Sequence, residues 1–122
     1  MTVRVREANA ISSALAGLDD AGVRALIDDA EQVGIGIGGT TKTARLGETT
    51  VFIKQLPLTS AEEADPCSTA SRLRLPFVSH YGIGTPANAV GRELAAHQVT
   101  TRWVQSGLAG CFPLLLGWRV LD

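Results

Sequence analysis

The chain has 122 residues, 45% of them hydrophobic and 19% charged, with a formal net charge of −1. That length and balance describe one modest globular domain, or a piece of one, and exclude a disordered chain. With so little net charge there is no field to draw in nucleic acid or an anionic membrane, so neither is expected as a partner.

The start, "MTVRVREANA", is polar and mixed in charge, unlike a signal peptide, so a cytoplasmic protein is expected. Residues 8–32 carry a helical pattern in two pieces. In the second, "DDAGVRALIDDAEQ", Val23, Leu26, Ile27 and Ala30 fall on one stripe at spacings of three and four. Asp19 or Asp20 is placed to cap it, and Gly34 to stop it.

From 33 to 58 the pattern turns to β. "GTTKTARL" and "TTVFIKQLPL" flank Gly47-Glu48, which predicts an antiparallel hairpin of 40–46 with 49–56. Residues 59–84 are small and polar, with a short helix expected over 67–74 and an extended stretch in "PFVSHYGIGTP". "TPANAVGRELAAHQVTTRWVQSG" predicts the second firm helix. Thr85 suits its N-cap, Pro86 its first position and Gly107 its stop, while Leu94, Ala95, Val99 and Trp103 form the expected buried stripe. Gly91 inside it costs about 1 kcal/mol against alanine. "CFPLLLGWRVLD" reads as a strand led in by Pro113. The most apolar run, "LAGCFPLLLGW", is too short to span a bilayer.

"VGIGIGGTTKT", residues 33–43, is the stretch with chemical promise, since glycines let a ligand approach the backbone. Three phosphate-binding patterns compete for it. A P-loop needs Lys-Thr directly after its last glycine and then a helix; here Thr40 and Thr41 intervene before Lys42, and a strand follows. Gly34, Gly36 and Gly39 fit the G-x-G-x-x-G of a dinucleotide fold, but that motif must also open a helix. The third pattern folds the glycines over phosphates as a hairpin and brings a lysine from the next strand. "VFIK", Val51 to Lys54, stands there. A helix carboxylate must then fix the lysine, and Glu93 in "GRELAAH" is the candidate.

In this order of elements the chain resembles the N-lobe of a protein kinase over residues 33–122, with 1–32 as an N-terminal helical extension. The resemblance implies an α+β fold: a five-stranded antiparallel sheet with one packed helix, the kinase αC. It also implies ATP, with Mg²⁺, beneath the glycine loop, held by Gly34, Gly36, Gly39, Lys54 and Glu93. Backbone groups of Trp118 to Leu121 would meet the adenine at a hinge.

Several features depart from the family. No H-R-D-x-x-x-x-N, D-F-G or A-P-E is present, so the residues here supply neither general base nor metal ligands and the chain alone should not transfer phosphate. Phe52 stands where the motif has alanine, on the strand face shared with Lys54, in space an adenine would use. Thr41 replaces a valine, and Lys54 and Glu93 lie unusually far apart in sequence. The first expectation is therefore an ATP-binding lobe, truncated and not catalytic alone. The alternative is a pseudokinase-type interaction module that has lost ATP, and an unrelated small α+β enzyme is the third. A missing catalytic lobe, another chain or a second copy is expected to cover the 112–121 edge.

Other residues carry less. Cys67 and Cys111 lack CxxC spacing, so neither zinc nor a disulfide framework is expected. His97 follows Glu93 by four and can contact it across one turn. His80 suits a surface position, no serine sits in a G-x-S-x-G, and "EEAD" at 62–65 reads as a solvated loop.

Overall fold

The computed structural model of the chain describes residues 1–36, 39–68 and 90–122. The elements run α1 (Val3–Ala16), α2 (Asp20–Asp29), β1 (Glu31–Gly36), β2 (Gly39–Leu46), β3 (Thr49–Gln55), α3 (Ser60–Ala64) and α4 (Val90–Gln105). The fold is α+β, with an N-terminal helical pair ahead of an antiparallel sheet in the order β1-β2-β3.

Helix α1 starts earlier than the pattern predicted, because Thr2 caps it by accepting from Val5 N at 3.2 Å. Asp19 caps α2, accepting from Gly22 N at 2.7 Å. The end of α2 falls at Asp29, not at Gly34, which lies within β1. The expected stripe of Val23, Leu26, Ile27 and Ala30 is the half-buried side of α2. That helix lies against β2, where Lys42 Nζ donates to Ile27 O at 2.9 Å, a cation placed at the negative end of the helix.

The β2–β3 hairpin follows its predicted register closely, Leu46 opposite Thr49 and Thr40 opposite Gln55, with Gly47 at φ 63° in the turn. β1 pairs with β2 through a bulge at Val33, which separates the Gln32–Lys42 and Gly34–Thr41 pairs.

Helix α4 ends as Gly107 allows. At φ 79°, that residue donates to Val104 O at 3.1 Å while Leu108 N reaches Trp103 O at 2.9 Å. The buried face of α4 is Gly91, Thr101 and Val104, not the predicted Leu94, Ala95, Val99 and Trp103. The first three of those are half-buried and Trp103 is exposed, its ring 5.7 Å from that of Phe112. Gly91 sets this rotation: a Cβ there would lie 2.1 Å from Ser68 O, so residues 66–68 cross the helix at the glycine.

The C-terminal segment corrects a second expectation. Residues 113–122 form no strand, and the sheet has three strands among the described residues. With Pro113 lacking a donor, the segment is held instead by side chains. Thr101 Oγ1 accepts from Leu115 N at 2.8 Å. Arg4 donates to Gly110 O at 2.8 Å and to Phe112 O, and Arg24 donates to Asp122 O at 2.7 Å. Arg119 returns the contact, donating to Leu18 O at 2.7 Å. Trp118 to Leu121 therefore run beside the N-terminal helices as irregular chain and do not make a hinge strand; the 112–121 edge is not a sheet edge.

Among the described residues the buried apolar side chains are Val5, Val51 and Val104. No described helix is long and apolar enough to cross a membrane. The expected helix over 67–74 is absent at Cys67 and Ser68, and its remainder lies outside the described residues, as do "PFVSHYGIGTP", His80, Thr85 and Pro86.

Candidate functional site

The site begins with strand alternation. Thr41, Thr43, Phe52 and Lys54 point to one face of the hairpin, and Lys42, Ala44, Val51 and Ile53 to the other, where α2 lies. Across the sheet Gly34 pairs with Thr41, and Thr41 pairs with Lys54. These three make a row on the face away from α2. A Cβ built on Gly34 would meet nothing within 4 Å, so the row is open at its glycine end.

At the other end, Lys54 Nζ meets Glu93 Oε1 at 2.5 Å, joining β3 to the first turn of α4 across 39 residues. The two side chains are 49% and 35% exposed, so solvent reaches the pair and it adds little to stability, at most about 1 kcal/mol. Its effect is positional: the ammonium has two further N–H donors and is held at the head of the Gly34–Thr41 row. His97 Nε2 lies 3.9 Å from the same Oε1, too far for a hydrogen bond.

Of the predicted site residues, Gly34, Lys54 and Glu93 share one face. Gly36 and Gly39, in phase with Gly34 and Thr41, form the last pair of β1 and β2 beyond them. Gly39 has a packing reason of its own, since a Cβ there would lie 2.0 Å from Gln55 O. Phe52 is 75% exposed on the face of Lys54, so it fills no pocket among the described residues. A groove of about 470 Å³ lined by Ile35, Gly39, Thr40, Gln55, Leu56 and Pro57 lies at the Gly36–Gly39 end of the sheet.

Two contributors escaped the sequence reading. Thr41, noted there as a departure from the motif, places a hydroxyl between Gly34 and Lys54. Glu62, read as part of a solvated loop, completes a capping box with Thr59 and accepts from Val90 N at 3.0 Å. The signal for it was T-x-x-E just after β3. Cys67 and Cys111 are exposed and free. No group of three or more His, Cys, Asp or Glu with metal-binding geometry exists among the described residues. Comparison of the chain with family models, with curated proteins and with solved structures finds no match in any of the three.

Proposed function

We propose that this chain binds the phosphate groups of a nucleotide such as ATP, as the N-lobe of a protein-kinase-like phosphotransferase does. The observation that carries this reading is the Lys54–Glu93 pair at 2.5 Å, beside a row that ends in an open glycine. A lysine fixed by one carboxylate oxygen keeps donors for phosphate oxygens. Thr41 adds a hydroxyl, and the bare backbone at Gly34 allows close approach. Mg²⁺ would enter with the nucleotide, held by its phosphates, since the chain lacks the family's metal-binding motifs. Phosphoryl transfer would require a base and metal ligands from elsewhere, so binding is the activity proposed for these residues.

A second reading, a pseudokinase-type interaction module, is favoured by Phe52. Its ring, 75% exposed on the face of Lys54, would serve as an anchor for a protein partner or a second copy. Calorimetric titration with ATP, ADP and adenosine separates the two. Phosphate recognition predicts affinity falling in that order and a Lys54→Met variant that no longer distinguishes them. Adenosine binding as tightly as ATP, or none of the three binding, leaves the interaction module.

A further inference from the structure

Glu62 stands where the strand bearing Lys54 is tied to the helix bearing Glu93. Its Oε1 accepts from Thr59 N at 3.2 Å and from Thr59 Oγ1 at 2.9 Å, while Thr59 Oγ1 accepts from Glu62 N at 3.2 Å. Those bonds close the first turn of α3, which begins at Ser60, past the end of β3 at Gln55. The other carboxylate oxygen, Oε2, accepts from Val90 N at 3.0 Å, the first residue of α4. Glu93 lies three residues further along that helix. One carboxylate thus joins the cap of α3, in the segment that leaves β3, to the start of α4.

We propose that Glu62 is a positioning residue for the Lys54–Glu93 pair, fixing the start of α4 to the exit of β3. A hydrogen bond to an ionised acceptor is stronger than a neutral one and directional. Gly91 adds a second constraint at the same place, since its missing Cβ lets the 66–68 segment lie directly on α4. Together the bond and the close approach set both the depth and the rotation of the helix, and so the direction of Glu93. The claim concerns the ion pair itself and does not depend on nucleotide binding.

Zero-length carbodiimide coupling reads the pair directly, because it joins an amine and a carboxylate in contact as an amide. The Lys54–Glu93 cross-linked peptide is quantified by mass spectrometry in variants shown to be folded by circular dichroism. Glu62→Ala should lower the yield about tenfold, the population change expected from one charge-assisted hydrogen bond. Glu62→Asp, which keeps an acid in the first turn of α3 but withdraws it by one methylene from Val90, should lose it as well. Glu62→Gln, whose amide oxygen can accept from Val90 N only by turning its NH2 toward the Thr59 N–H, should give a yield between those of Glu62→Ala and the native chain. Thr59→Ala, which takes the hydroxyl from Glu62 Oε1 but keeps the Thr59 N–H and the bond to Val90 N, should lower it much less than Glu62→Ala does. An unaltered yield in Glu62→Asp or Glu62→Ala overturns the proposal, as does a loss in Thr59→Ala equal to theirs.

Discussion

Glycines answer different demands in this chain, and only a structure separates them. At Gly39 a side chain would strike the Gln55 carbonyl, at Gly91 the Ser68 carbonyl, and at Gly34 nothing at all. The G-x-G-x-x-G spacing was legible in sequence, but the spacing alone does not distinguish a packing glycine from one that leaves room for a ligand. Of these three, Gly34 is the one whose missing side chain no packing contact requires. For Gly91 the sequence argument pointed to a helix-propensity cost of about 1 kcal/mol, which alanine would recover. The structure reverses that sign. Gly91→Ala forces backbone apart, with an overpacking cost of about 1–3 kcal/mol. A net loss of stability is expected in urea denaturation, and a more stable variant would refute the close contact.

At the scale of elements, local chemistry was readable and long-range contacts were not. The β2–β3 hairpin, the Asp19 cap and the Gly107 stop each rest on residues within a few positions of one another. The C-terminal segment misled because an apolar run serves equally as a strand or as irregular chain packed on helices. What decides is where its carbonyls find donors, and here they find Arg4 and Arg24, about a hundred residues away in the chain. The rotation of α4 escaped for the same reason, being set by residues 66–68. Arg4 should therefore anchor the segment despite its exposure. Arg4→Ala is expected to cost about 1 kcal/mol, one net hydrogen bond's worth. Because Phe112 packs against Trp103, tryptophan emission should change with it. Unchanged stability and emission would mean that Thr101 and Arg119 hold the segment without Arg4.

Among the described residues the interior is thin. Val5, Val51 and Val104 are the buried apolar residues described, and none of them is completely enclosed. Large apolar side chains stay exposed, among them Ile35, Phe52, Leu108 and Trp118. With so few buried groups, each carries a large share of a marginal stability. Val51, on the α2 side of the sheet, should be among the most sensitive positions. Val51→Ala removes two methyl-sized groups and is expected to cost about 2 kcal/mol, checked by the urea midpoint. A cost near zero would place the α2–sheet packing outside the cooperative core.

Thermal melting with and without Mg·ATP, in the native chain and in Lys54→Ala, bears most directly on phosphate binding by the Gly34–Thr41–Lys54 row. The native chain should melt higher as nucleotide rises, gaining about 2.7 kcal/mol at a hundred times its dissociation constant, while Lys54→Ala gains nothing. No shift at millimolar nucleotide, or an equal shift in both proteins, would contradict it.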